Sequence, residues 1–277
     1  MLPIRGRHVA IAAVAWDIPG LDQHALLAET SRTRPSAMLG EFEPSEADRR
    51  LRAVCLEVLE RAGLGRPARQ CAVDSVLAGD RSAGPEALRG SFSALAHALR
   101  TIERGDADRV IVAGLMRFDS AAIESTDART RAHGVCAVLL ETESSFASRP
   151  IGRSRLIVVA HAESAFGECG RAGILGLLRR HADKTLYVGI DSALLPAIDV
   201  IANLQHMHVV DLAANVPNDA DCLCLLQLIS FFERHSAGTM CDPGGAVFAT
   251  DGARANDPAG VIVIAPAGEP PWPRLCD

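Results

Sequence analysis

The most regular hydrophobic pattern of the chain lies between residues 88 and 119. Apolar residues recur there at the spacing of a helix that packs one face against a core, and charged residues lie on the opposite side. The apolar face comprises Leu88, Phe92, Leu95, Ala96, Leu99 and Ile102, and the charged face comprises Arg100, Glu103 and Arg104. Gly105 is expected to end this helix, and the β-branched run from Val110 to Ala113 predicts a buried strand.

A second helix is predicted to begin at Ser45 and to end at Gly63. Ser45 is a suitable N-cap and Asp48 follows three residues later, which is typical of a helix start. Apolar residues then recur at helical spacing at Leu51, Val54, Cys55, Val58 and Leu59. This pattern also predicts one buried face and one exposed face.

Short apolar runs alternate with helical patterns along the rest of the chain. Further strands are predicted at residues 8–16, 72–78, 134–141, 155–162, 185–189, 208–212, 246–249 and 261–265, and further helices at 170–181, 193–204 and 222–235. Strands that alternate with helices are typical of a layered α/β protein. We expect one domain that spans residues 1–277.

Composition and charge narrow the classes of function. Of the 277 residues, 48% are hydrophobic and 22% are charged, and the formal net charge is −6, with no long basic run. We therefore expect no nucleic-acid partner. No run of eighteen apolar residues occurs, so no membrane span is expected. Asp17 and Pro19 interrupt the apolar stretch near the N-terminus, which favours a strand there over a signal peptide.

The eight cysteines show neither a CxxC pair nor a spacing of cysteine and histidine that is typical of a metal site. Most lie in apolar segments, where a free cysteine behaves as a small hydrophobic residue. His206 and His208 form a His-x-His pair without a third ligand. We therefore expect reduced cysteines in a cytoplasmic protein, with no metal and no cofactor.

Several segments resemble the β-ketoacyl synthases of the thiolase fold. The sequence RTIERGDADRVIVAG is similar to the segment after the family's nucleophile, where a helix that begins at a cysteine ends in a GxAD turn before a buried strand. Counting back from Gly105 places Leu88 at the position of that cysteine. The resemblance implies a thiolase-like layered α/β/α/β/α fold with two pseudo-repeated halves, about 1–165 and 166–277, in shortened form.

The second half of the chain carries two more positions that correspond to catalytic residues of the family. YVGIDSALLPAID is similar to the motif HGTxTxxGDxxE and places Val188 at a catalytic histidine. The segment that ends at Gly238 places Asn218 at about the second histidine, and DGARANDPAGVIVI lacks the paired glycines of FGFGGxNAxxVL. Claisen condensation requires an activated thiolate and donors for the enolate. Leu88 and Val188 supply neither, so the resemblance implies a chain without the family's catalytic residues.

The family also contains chain-length factors, which lack the cysteine and shape the acyl tunnel of an active partner. The resemblance implies that this chain is such a subunit, in a heterodimer with an active ketosynthase and, through it, with an acyl carrier protein. Leu88, Phe92 and Leu95 are then predicted to line the tunnel or the interface, with the alternative that they fill the chain's own core. The chain is shorter than a normal chain-length factor, chiefly between Leu77 and Leu88 and between residues 119 and 134.

The sequence leaves open two alternatives to a tunnel-shaping subunit. One is an acyltransferase of the same fold that uses Cys169, whose flanking glycines and nearby Arg171 would lower the pKa of the thiol. The other is a homodimeric scaffold protein without an acyl substrate. Asp191, Ser192 and His208 include the residue types of a catalytic triad, but no GxSxG elbow accompanies them.

Overall fold

A computed structural model describes residues 9–19, 44–64, 75–79, 90–116, 134–147, 156–164, 176, 179, 185–188, 209–211, 223–237, 246–250 and 259–266. In chain order, its elements are β1 (Val9–Asp17), α1 (Pro44–Arg61), β2 (Ser75–Gly79), α2 (Gly90–Arg104), β3 (Arg109–Met116), β4 (Gly134–Thr142), α3 (Glu143–Ala147), β5 (Leu156–Ser164), β6 (Thr185–Val188), β7 (Val209–Asp211), α4 (Leu223–Ala237), β8 (Ala246–Thr250) and β9 (Ala259–Pro266).

Every predicted strand has a counterpart among these elements, and so have the helices predicted from Ser45, from Leu88 and over 222–235. Gly176 and Arg179 are helical, within the helix predicted over 170–181. The five residues of α3 had not been predicted, because one helical turn is too short to show periodicity. The helix predicted over 193–204 lies outside the described residues.

The two best-predicted helices end in the same way. Gly63 and Gly105 adopt positive φ angles of 72° and 80°, which favour glycine over other residues. The amide of Leu64 donates to the carbonyl oxygen of Leu59 at 2.9 Å after α1, and the amide of Asp106 donates to that of Thr101 at 3.0 Å after α2. Both ends are Schellman motifs, in which otherwise unpaired helix carbonyls accept hydrogen bonds.

The strands form one nine-stranded sheet in the order β2-β3-β4-β1-β5-β9-β8-β6-β7. From the middle outwards, β1 pairs antiparallel with β4, β4 antiparallel with β3, and β3 parallel with β2. On the other side, β5 pairs antiparallel with β9, β9 antiparallel with β8, and β8 parallel with β6. The pairing directions of the first four strands on each side are therefore the same, and β7, which pairs parallel with β6, has no counterpart among the described residues of the other side.

The register of the two central strands follows the same symmetry. Residues 9–11 of β1 pair with 156–158 of β5 in antiparallel register, and Ala10 faces Ile157 at the centre. Beyond this short ladder, β1 has a bulge between Ile11 and Ala13, and β5 has one between Val158 and Ala160. The two bulges fall at equivalent positions, so a local pseudo-twofold axis passes between β1 and β5.

Helices cover both faces of the sheet. On one face, α1 packs against alternate residues of β1, β3 and β4, such as Ala137 and Leu139. On the other face, α2 and α4 share a single core with the opposite set of residues, which includes Val138 and Leu140. This second core also contains Ile262 of β9, so α2 and α4 pack against strands from both sides of the symmetry axis.

Candidate functional site

The described residues include three of the residues that had been predicted at the site. Phe92 and Leu95 lie on α2 with exposures of 4% and 1%, within the core that α2 shares with α4. Val188 is the last residue of β6. Leu88, Asn218 and Cys169 lie outside the described residues, although Leu88 precedes α2 by only two positions in the sequence.

The ring of Phe92 occupies the space directly above Gly260. Phe92 lies in the first turn of α2, and Gly260 is the second residue of β9. A Cβ atom at Gly260 would overlap ring atoms of Phe92, so a side chain at this position requires the ring to move. Glycine is thus needed here for close approach of a helix side chain to the strand.

The strand register connects this contact to Val188. Gly260 pairs with Thr250, the last residue of β8, and the preceding residue Ala249 pairs with Val188. Because neighbouring strands lie about 4.8 Å apart, Val188 and Gly260 are separated by roughly 10 Å across the sheet. The structure therefore brings Phe92 and Val188 to the same end of the second half of the sheet.

Phe92 and Leu95 are buried, so a place in the core of this chain is sufficient to explain both residues. Both contribute to a cluster that contains strands on each side of the symmetry axis, together with Phe231 of α4. A role of Leu88, Phe92 and Leu95 in an acyl tunnel or a subunit interface remains a prediction. Their sequence spacing of four and three residues would place all three on one face of a continuous helix.

The described cysteines are poorly suited to nucleophilic chemistry. Cys55 and Cys136 are both free thiols. Burial, with a smaller contribution from the nearby Cys136, raises the pKa of Cys55 to about 11. Cys136 is fully buried on β4, and its sulfur lies 3.9 Å from the carbonyl oxygen of Gly114. Since the thiolate is the reactive form, Cys55 is not an activated nucleophile, and the sulfur of Cys136 is enclosed within the core.

Two polar side-chain contacts within the fold had not been predicted from the sequence. His161 Nε2 of β5 lies 3.0 Å from Glu103 Oε1 of α2, and both side chains are at least partly buried. Arg109 Nε donates to Glu141 Oε2 at 3.1 Å between the paired strands β3 and β4. Sequence periodicity assigned Glu103 to the polar face of α2, but it gave no signal that a side chain of β5 would reach this residue.

The part of the chain that the structure describes contains no group of three or more histidine, cysteine, aspartate or glutamate residues placed to hold a metal ion. None of its helices combines the length and the apolar character that crossing a bilayer requires.

The sequence matches no protein-family model and no curated protein. Solved structures, in contrast, match over nearly the whole chain. The oxazolomycin ketosynthase domain OzmH KS8 of Streptomyces albus JA3453 is 17% identical, with a TM-score of 0.63, and the match covers 97% of this chain and 98% of that one. A ketosynthase from module 6 of the bacillaene synthase of Bacillus subtilis 168 is 13% identical, with a TM-score of 0.60, over 95% of this chain and 71% of that one.

A third match is AntDE:AntF, in which a type II polyketide synthase acyl carrier protein is in complex with its ketosynthase. It is 10% identical, with a TM-score of 0.60, over 94% of this chain and 99% of that one. At these identities the similarity shows the fold alone. The chain therefore has the thiolase-like α/β fold of β-ketoacyl synthases, and the predicted fold class is confirmed.

Proposed function

We propose that this chain is a non-catalytic ketosynthase-like subunit that pairs with an active ketosynthase and helps to shape its acyl tunnel. The chain has the fold of a ketosynthase, and the proposal rests on the identity of two of its residues. By the sequence resemblance, Leu88, two positions before α2, corresponds to the family's cysteine, and Val188, at the end of β6, corresponds to its first histidine. Hydrocarbon side chains supply neither a thiolate nor a proton donor.

The packing of α2 supports a role for the scaffold's shape. Phe92 fits closely against Gly260 at the end of the sheet that carries Val188, and α2 packs against strands of both halves. A chain that had lost all function would be free to accumulate cavities in such a core, each costing stability. Maintained packing without a nucleophile at Leu88 favours a role in which the shape of the subunit matters.

The partner in this proposal is an active ketosynthase, with an acyl carrier protein delivering substrates to the complex. One of the solved structures with this fold is itself a ketosynthase bound to an acyl carrier protein. We expect the same kind of carrier to dock on the heterodimer. The acyl chain and the product are determined by that pair.

The experiment is co-expression of this chain with candidate ketosynthases, one at a time, followed by mass determination on a sizing column and a malonyl-thioester condensation assay. A one-to-one complex that condenses only when both chains are present supports the proposal. A stable homodimer that binds none of the ketosynthases contradicts it. Acyl-thioester labelling of Cys169 in the isolated chain would instead support the acyltransferase alternative.

A variant series at Leu88 sharpens the assay. Leu88→Ala and Leu88→Phe change side-chain volume without adding chemistry, so in the active complex they should shift product length more than they change rate. Arg52→Ala, on the exposed face of α1, is the matched control and should change neither. Equal loss of rate in both Leu88 variants, with unchanged product length, would argue against a tunnel role.

A further inference from the structure

The outer face of α1 carries four exposed residues in one line, whereas its inner face packs on the sheet. We call these residues the α1 stripe: Arg49, Ala53, Leu56 and Glu60. Intervals of four, three and four residues keep the side chains in line along a helix, as in the seam of a two-stranded coiled coil. Leu56 is a large hydrophobic residue and yet is 40% exposed. The α1 stripe therefore has the layout of a surface on which another helix packs.

The order of residues in the α1 stripe is complementary to its own reverse. In an antiparallel pair of α1 helices, with a twofold axis midway between Ala53 and Leu56, Ala53 meets Leu56 of the second copy. The same axis brings Arg49 against Glu60 of the second copy, because both pairs of positions are centred on one point. A small side chain thus faces a large one, and a cation faces an anion at each end. A parallel pair would instead bring like charges together, which is unfavourable.

The contacts of Arg49 within the chain do not oppose this arrangement. Its side chain is 78% exposed and lies 3.5 Å from Glu46. Exposed ion pairs contribute little to stability, so exchanging this pair for one across the axis costs little. The apolar gain comes from burial of Leu56 against Ala53. One pair of 18-residue helices covers less area than a standard interface, so the association is expected to be weak.

We infer that the α1 stripe is a self-association surface, on which a second copy of this chain docks antiparallel. Charge complementarity selects this occupant, since the stripe matches its own reverse. The surface lies on the outer side of α1, whereas α2 packs on the other face of the sheet. The inference goes beyond the proposed function and does not depend on it. Two heterodimers of this chain with a ketosynthase would also meet through the α1 stripe.

The test is sedimentation equilibrium of the full chain from about 1 µM to about 1 mM, a range that includes weak dimers. The unaltered chain should dimerise reversibly. Arg49→Glu and Glu60→Arg should each raise the dimer Kd at least about ten-fold, because each brings like charges together at both ends of the pair. Arg104→Glu is the matched control: it lies on an exposed position of α2, changes the net charge as much as Arg49→Glu, and should leave the Kd unchanged.

Two rescue measurements make the test specific for antiparallel pairing. The double variant with Arg49→Glu and Glu60→Arg restores opposite charges, so its Kd should return to within about three-fold of that of the unaltered chain. An equimolar mixture of the two single variants should also dimerise at concentrations where each variant alone is monomeric. Glu60→Arg places a cation in the last turn of α1, which the helix dipole favours, so loss of the helix would not explain its effect.

Leu56→Gln tests the apolar centre of the α1 stripe and should weaken the dimer without lowering Tm, because the side chain lies on the outer face. A chain that stays monomeric at about 1 mM would overturn the inference. Equal Kd values for Arg49→Glu and Arg104→Glu would overturn the location, and a monomeric double variant would overturn the antiparallel register. Arg49→Glu should still pair with a ketosynthase. Loss of that pairing would assign the stripe to the heterodimer interface and would also overturn the inference.

Discussion

Arg61, the last residue of α1, forms an ion pair with Glu233 of α4 at 3.2 Å, although the two helices pack on opposite faces of the sheet. The same guanidinium donates to the carbonyl oxygen of Val14 on β1 at 3.1 Å and lies 5.3 Å from the centroid of the Trp16 ring. The β1–β5 ladder ends at Ile11, so Arg61 contacts β1 beyond the point where β5 leaves it. One side chain thus connects both helical layers next to the pseudo-twofold axis.

Arg61→Ala is expected to destabilise the chain by about 1–2 kcal/mol, because it removes a hydrogen bond to Val14 together with the ion pair. The coupling to Glu233 should be smaller, about 0.5–1 kcal/mol in a double-mutant cycle with Glu233→Gln, since the Arg61 side chain is 40% exposed. Urea unfolding of the unaltered chain, the two single variants and the double variant measures both quantities. Arg49→Ala is the control, because Arg49 is 78% exposed and pairs with Glu46 only at 3.5 Å. An equal loss of stability in Arg49→Ala would contradict the importance of the Arg61 contacts.

Gly260→Ala is expected to destabilise the chain by about 1–3 kcal/mol, because the new methyl group overlaps the Phe92 ring in a packed core. Gly176→Ala is the control: it is a helical glycine with no atom within 4 Å of the added Cβ, and it should stabilise the helix by about 0.5–1 kcal/mol. Phe92→Leu in the Gly260→Ala background should recover part of the loss. Denaturant unfolding reports all of these changes, and additive effects of Gly260→Ala and Phe92→Leu would show that the two residues are not in contact.

The features that were predicted from the sequence are local, whereas those that were missed are contacts between residues far apart in the chain. Gly63 and Gly105 follow periodic apolar faces, so local patterns sufficed to place both helix ends. The contacts between Phe92 and Gly260, and between Arg61 and Glu233, join residues that are separated by most of the chain. Neither partner carries a local signal for the other, because such contacts depend on how the strands are ordered in the sheet.

The place of β5 in the fold also depends on the order of strands in the sheet. Chain order placed residues 155–162 at the end of the first half, with a division near 165. The pairing pattern instead gives β5 the place in the second half that β1 has in the first, with equivalent bulges and pairing directions. We therefore propose that the two halves divide before Leu156. In a fragment of residues 150–277, the amides of β8 and β9 should exchange more slowly than in a fragment of residues 166–277, which lacks β5. Equal protection of these strands in the two fragments would contradict the division before Leu156.

Cys55 is expected to resist alkylation in the folded chain. Burial raises the pKa of its thiol to about 11, so at pH 8 only about one thiol in a thousand is ionised. Peptide mass spectrometry after brief iodoacetamide treatment should find Cys55 and the buried Cys136 unmodified, and both should be labelled in urea. Fast labelling of Cys55 without denaturant would contradict its burial against the α1 face of the sheet.

His235 is expected to make stability depend on pH. Its ring lies near Phe231, with centroids 6.5 Å apart, and burial lowers the pKa of the imidazole below its usual value of 6.5. The residue lies in the last turn of α4. Because the unfolded chain binds a proton more readily at this site, the contribution to stability is complete above pH 6.5. It is lost as the pH falls from 6.5 through the lowered pKa of the folded state.

His235→Gln should therefore lose less stability than the unaltered chain when the pH is lowered from 8 to 5, as measured by urea midpoints at several pH values. His97→Gln is the matched control, because it makes the same substitution at an exposed position on α2. Comparing the two variants separates the effect of His235 from that of replacing a histidine elsewhere in the chain. Parallel pH profiles for His235→Gln and the unaltered chain would show that the imidazole is equally free to accept a proton in the folded and unfolded states.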